Sequence, residues 1–228
     1  MSGYILSDLL IILGIAISFG AQIYITSSYN KYKQIANKNR LSGFEVAKQI
    51  LEKNGLDNIY ITEVRGNLTD HYDSGRKVIR LSTDVFHGTS IASASVAAHE
   101  VGHAIQDKEG YSFMRFRATI FPLVNIASYG GYFAVLLGLF FGMTDLLWLG
   151  IALEIIVLLF QLVTLPVEFD ASKRAENEMK KCNILTEKEL NGSKEMLRAA
   201  ALTYVASVLT TILQILRLVV IAIGRRDD

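Results

Sequence analysis

Hydrophobic positions along the chain gather into four long runs, at about residues 4–25, 120–142, 146–165 and 199–223. Each approaches or exceeds the roughly 20 apolar residues a helix needs to cross the hydrocarbon core of a bilayer. Between the first and second runs the pattern changes to shorter periods. Ser42-Gly43-Phe44-Glu45 reads as a capping box that opens a helix over 44–54. Phe44, Ala47, Ile50 and Leu51 share a face of that helix, and Asn54-Gly55 ends it. Residues 59–64 and 77–81, rich in β-branched and aromatic side chains, predict two short strands, with turns at Gly66-Asn67 and Asp73-Ser74-Gly75. A further helix begins near Ser90, where Ile91, Ala94, Ala98, Val101 and Ile105 recur at helical spacing. The strand at 77–81 is a candidate exposed edge beside this helix; an ordinary hairpin is the alternative. After the third run, residues 167–182 predict a separate helix that starts at Pro166 and stops at Asn183. A short polar helix or linker from 187 leads into the last run.

Composition agrees with a membrane class. Of the 228 residues, 51% are hydrophobic, and the mean hydropathy is +0.32. A net charge of +1 gives no electrostatic case for nucleic acid. One cysteine, Cys182, excludes an internal disulfide and a cysteine-rich metal site. The expected fold is a mainly α membrane protein of about four transmembrane helices with a small α+β cytoplasmic domain. Its segments are transmembrane helix 1 (1–28), the cytoplasmic region with the two-histidine helix (29–118), transmembrane helices 2 and 3 (119–165), a cytoplasmic helix (166–198), and transmembrane helix 4 with a tail (199–228). The first run lacks a basic leader and a small-residue cleavage site, so it reads as a retained anchor.

Basic residues set the orientation. Lys31, Lys33, Lys38 and Arg40 follow the first run, Arg115 and Arg117 precede the second, and Lys173, Arg174, Lys180 and Lys181 follow the third. The turn at Met143-Thr144-Asp145 carries none. Segments 29–118 and 166–198 therefore face the cytoplasm, with Arg225 and Arg226 as one exception outside. Inside the runs, Glu154 and Arg217 fall at similar depth, and an intramembrane ion pair is expected between them, with Asp8 as the alternative partner for Arg217.

The chemistry lies in AAHEVGHAIQ at 97–106. His99 and His103 are four apart on a helix, so both imidazoles project from one face and reach one metal. Glu100 stands beside them, placed to act as general base without being a ligand. Gly102 leaves room for a close approach of substrate or backbone. A catalytic zinc takes three protein ligands and keeps one position open. His71 and His87 are the remaining histidines. Among carboxylates Glu168 stands out, because two spans after His103 return the chain to the same side of the membrane.

Several stretches together resemble the YugP-like neutral zinc metallopeptidases of bacterial membranes. They are the 42–56 segment, GNLTDHYD at 66–73, RLS at 80–82, AAHEVGHAIQ at 97–106 and LPVEFDASKRA at 165–175. The chain is more distantly similar to the HtpX-type membrane peptidases, gluzincins in which HExxH is followed by a glutamate ligand after membrane spans. The resemblance implies a zincin-like cytoplasmic domain carrying the HExxH helix, with Zn2+ held by His99, His103 and Glu168 and Glu100 as catalytic base, in an integral protein of the bacterial cell (inner) membrane. The HtpX type carries Asp four residues after the glutamate ligand, where this chain has Ser172. A serine there can still hydrogen-bond a ligating imidazole. His71, with Tyr72 beside it, is the candidate oxyanion donor, and Asp70 or Asp73 could fix its tautomer. The expected activity is endopeptidase cleavage of a protein or peptide substrate by a protein whose other partner is the lipid bilayer. The alternative is a membrane scaffold or adaptor that keeps the zinc fold without proteolysis. A zinc transporter is disfavoured because the runs contain no histidine.

Overall fold

The computed structural model describes residues 2–66 and 69–224. The expected turn at Gly66-Asn67 and the exception at Arg225 and Arg226 fall partly or wholly outside them. The described residues form α1 (Ser2–Lys33), α2 (Gly43–Lys53), β1 (Tyr60–Val64), β2 (His71–Asp73), β3 (Val78–Ser82), α3 (Thr83–Phe86), α4 (Ile91–Glu109), α5 (Ser112–Phe141), α6 (Thr144–Lys181) and α7 (Glu187–Gly224). The chain is mainly helical with one small sheet. Helices α1, α5, α6 and α7 are each long and apolar enough to cross a membrane.

Two compact units can be separated. The first comprises Met1–Gln22, Phe116–Leu165 and Leu202–Asp228. Its helices meet through small residues. A side chain on Gly138 would stand 2.9 Å from Leu147, and one on Gly150 would stand 2.5 Å from Val135, so α5 and α6 pack backbone to backbone, as spanning helices commonly do. The hydroxyls of Ser18 and Thr210 lie 3.0 Å apart and tie α1 to α7. Leu147 and Ile151 of α6 bury against Leu218, Ile221 and Ala222 of α7. Large apolar side chains such as Ile12, Phe19, Ile126 and Phe140 point outward. Glu154 and Arg217 do not form the expected ion pair; among the described residues no salt bridge joins them, and Nε of Arg217 is buried without a hydrogen-bond partner. Leu218 carries the contact with α6, and Arg217 lies one residue, about 100°, off that face.

The second unit comprises Ile23–Arg115 and Pro166–Ala201. The capping box forms as its residues dictate: Glu45 N donates to Ser42 Oγ at 3.3 Å, and Ser42 N donates to Glu45 Oε2 at 2.7 Å. Val46, Ala47, Ile50 and Leu51 make the buried face of α2. Phe44 turns aside to stack on Phe86, with ring centroids 5.0 Å apart.

The sheet corrects the edge expectation. Its order is β1-β3-β2, with β1 parallel and β2 antiparallel to β3. The strand expected at the edge is the central one. Val78, Ile79 and Leu81 are all buried, the near-continuous apolar pattern of a strand covered on both faces. The edge beside it is β2, three residues too short and polar to announce a strand.

Helix α4 begins at its N-cap Ser90, whose hydroxyl accepts from Ser93 N at 3.0 Å, and ends at Gly110 in the left-handed region, φ 68°. It is buried from Ile91 to Ala98 apart from Val96, and again from Glu100 to Gln106. The expected separate helix at 167–182 is instead the continuation of α6. Pro166 sits inside that helix. Proline's fixed φ is helical, and the cost is one missing donor and a crowded carbonyl, which spanning helices tolerate. Past Pro166, the buried residues Val167, Glu168, Ala171, Ala175, Glu178 and Met179 form a stripe at helical spacing.

Candidate metal centre

His99, His103 and Glu168 converge. Their ligand atoms all lie within 4.8 Å of one another. Nε2 of His99 stands 3.3 Å from Glu168 Oε2, and Nε2 of His103 stands 3.6 Å from the same oxygen. Donors held about 2.0–2.1 Å from a tetrahedral ion are separated by about 3.3–3.4 Å. The donor set, two imidazoles and a carboxylate, is that of a catalytic zinc site with one position left over. Glu168 is 3% exposed, whereas His99 keeps 16%, so the opening lies on the His99 side. Glu100 is buried on the same turn of α4.

Two helices bring these groups together. A Cβ on Gly102 would meet the carbonyl oxygen of Ala171 at 2.5 Å. Only glycine lets the α4 backbone lie against α6 there, and Glu168 is one turn before Ala171.

The imidazoles are oriented from behind. Gln106 Nε2 donates to the Val167 carbonyl and to Asp170 Oδ2, both at 2.8 Å. With the amide nitrogen engaged by two acceptors, its oxygen must face His103, whose Nδ1 lies 3.0 Å away. Nδ1 of His103 therefore carries the proton, and Nε2 is the atom turned to Glu168. Asp170 in turn accepts from Arg174 Nε at 2.5 Å, and Arg174 Nη1 reaches Glu109 at 2.7 Å. On the other ligand, Ser172 Oγ lies 3.2 Å from His99 Nδ1. A serine four residues after the glutamate therefore does hydrogen-bond an imidazole. Burial alone would lower the His103 imidazole, but the neighbouring carboxylates of Glu168 and Glu100 hold it above the ordinary histidine value.

Gln106 is the residue that motif reading missed. The signal available was its position three residues past His103, hence on a neighbouring part of the helix face.

His71 is not in this group. It is exposed on β2, with Nδ1 on the Thr69 carbonyl at 2.8 Å and Nε2 3.3 Å from Arg80 Nη1. Asp70 holds the N–H and hydroxyl of Ser82, and Asp73 binds Arg80, so neither carboxylate orients His71. Tyr72 donates its hydroxyl to Asp107 at 2.7 Å. Burial and that bond push its phenol well above the ordinary value. His87 lies at the end of α3, exposed, 3.3 Å from Glu63.

Comparison with known proteins points to zinc as the metal of the family. Residues 7–223 match the family described as "Putative neutral zinc metallopeptidase". The chain belongs to this family. It is 43% identical over 219 residues to "Putative membrane protease YugP" of Bacillus subtilis (strain 168), an alignment that covers 96% of this chain and 97% of that protein. No solved structure matches the chain.

Proposed function

We propose that the protein is a membrane-embedded, zinc-dependent endopeptidase whose active site faces the cytoplasm. The carrying observation is the convergence of His99, His103 and Glu168, from α4 and α6, at the spacing a tetrahedral ion takes. In this reading those three hold Zn2+. When bound, the metal supplies Lewis acidity and brings the pKa of a water molecule towards about 7.

The chain's own residues do the rest. Glu100 accepts the proton of the attacking water and returns it to the leaving amine. Gln106 and Ser172 fix the two imidazoles so that both Nε2 atoms stay directed at one point. The basic residues flanking the site-bearing unit favour its cytoplasmic placement. An extended protein or peptide segment would pair with the open edge of β2, which Tyr72 ties to α4 through Asp107.

The test is casein turnover and zinc content of the purified protein against its Glu100→Gln variant. Loss of turnover with zinc retained is the expected result. Equal turnover by the two proteins would overturn the reading, and inactivity of both with full zinc would favour the scaffold.

A further inference from the structure

A cavity of about 650 Å³ opens in the site-bearing unit. Tyr24 of α1, Phe169 to Glu176 of α6 and Asn191 to Ala201 of α7 contribute to its lining. At this place all three helices change character. The apolar run of α1 ends at Ile25, that of α6 ends at Leu165, and that of α7 begins at Ala199. The lining follows suit, with Tyr24, Phe169 and Leu197 beside Lys173, Lys194 and Arg198.

The charges do not balance. Two carboxylates line the cavity, Glu176 and Glu195. Glu195 is already engaged by Lys31 at 2.9 Å and by the Tyr32 hydroxyl at 2.7 Å. Glu176 makes only a long contact with Lys194, 3.7 Å. Lys173 and Arg198 are exposed, and neither makes an ion pair among the described residues. Two unpaired cations thus stand where aromatic and apolar side chains begin.

We infer that this cavity binds the phosphate headgroup of an anionic glycerophospholipid. Lipid phosphates lie at the boundary between hydrocarbon and water, where tyrosine and basic side chains gather. The volume is that of a small-molecule site. Ser172 lines the cavity and also lies 3.2 Å from His99 Nδ1, so an occupant sits one side chain from a proposed zinc ligand. The inference rests on the membrane reading of the four helices and not on the peptidase reading.

The experiment takes the full-length protein, delipidated in neutral detergent, and titrates it with phosphatidylglycerol, phosphatidylcholine or inorganic phosphate. Native mass spectrometry reads retained lipid, and the unfolding midpoint reads protection by phosphate. Phosphatidylglycerol is expected to be retained in preference to phosphatidylcholine. A basic side chain near an anionic surface contributes about fivefold in affinity, so Lys173→Gln with Arg198→Gln should weaken phosphatidylglycerol about 25-fold. Lys48→Gln with Lys188→Gln, outside the cavity, should change nothing. Should the first double variant fold poorly without lipid, each single change should weaken binding about fivefold. Equal retention of the two lipids, or phosphatidylglycerol binding untouched by the cavity variants, would overturn the proposal. Inorganic phosphate protecting as strongly as the lipid would overturn it too, reassigning the cavity to a soluble ligand. A chain that washes out of membranes with alkaline carbonate would instead indict the membrane reading.

Discussion

Gly102 and Ala171 touch backbone to backbone: the position a Cβ would take on Gly102 is 2.5 Å from the Ala171 carbonyl oxygen. The contact joins the helix that carries both histidines to the helix that carries Glu168. Gly102→Ala forces α4 and α6 apart, and overpacking of this kind costs about 1–3 kcal/mol. The same displacement lengthens the distances from His99 and His103 to Glu168. Thermal unfolding and zinc titration should show a lower midpoint together with weaker zinc binding. Unchanged values for both would mean that the two helices are not held at this point.

The donor set predicts a division of labour. His99→Ala, His103→Ala and Glu168→Ala should each lose zinc by metal analysis, while Glu100→Gln keeps it. Removing zinc from the wild type with a chelator should lower the unfolding midpoint, because a ligand that binds only the folded state stabilises it. In the three ligand variants the chelator should have no further effect. Full zinc occupancy in Glu168→Ala would remove that residue from the site.

Gln106 is buried and uses three of its hydrogen-bonding positions: Oε1 for His103, Nε2 for Val167 and Asp170. Gln106→Leu keeps the volume and removes all three. Loss of an outer partner of a ligating histidine weakens metal binding or activity by about 10- to 100-fold. Zinc affinity from competition with a chromophoric chelator is the measurement. Gln106→Glu keeps an acceptor for His103 but faces Asp170 with a second carboxylate, so it should restore metal binding only in part. Wild-type affinity in Gln106→Leu would show that the histidine needs no support.

Much of this was legible in the chain. The four long helices follow from apolar runs long enough to cross a membrane, and Ser42 with Glu45 fixed the start of α2. His99 and His103 follow from helical spacing alone. Glu168 needed the count of spans and the family resemblance. The failures share a cause: local patterns do not encode long-range partners. β2 has three polar residues, and only pairing with β3 makes it a strand. Pro166 looked like a start because proline is common at helix starts, yet an apolar run behind it and a buried stripe ahead carry α6 through. Gln106 carries no motif, and its role depends on Val167 and Asp170, some sixty residues away.

Orientation can be tested directly. Reporter cysteines at Thr144 and Asn191, in a Cys182→Ser background, sit at the α5–α6 turn and on the site-bearing unit. An impermeant thiol reagent applied to intact cells should label Thr144→Cys and spare Asn191→Cys. The opposite pattern would put the candidate metal centre outside.

Arg217 offers the last prediction. Its Nε is buried without a hydrogen-bond partner, and no ion pair links it to Glu154 among the described residues. A buried unsatisfied donor costs about 1–3 kcal/mol. Arg217→Met keeps much of the aliphatic stem and removes the polar head, so the unfolding midpoint in detergent should rise or hold. Since Glu154 and Arg217 do not pair, the effects of Glu154→Leu and Arg217→Leu should add within about 0.5 kcal/mol, as independent sites do. Had they been paired, each single change would strand a charge in an apolar setting, and the double change would recover most of the loss. A coupling above about 1 kcal/mol in the double-mutant cycle would therefore show that the two charges meet in the bilayer after all.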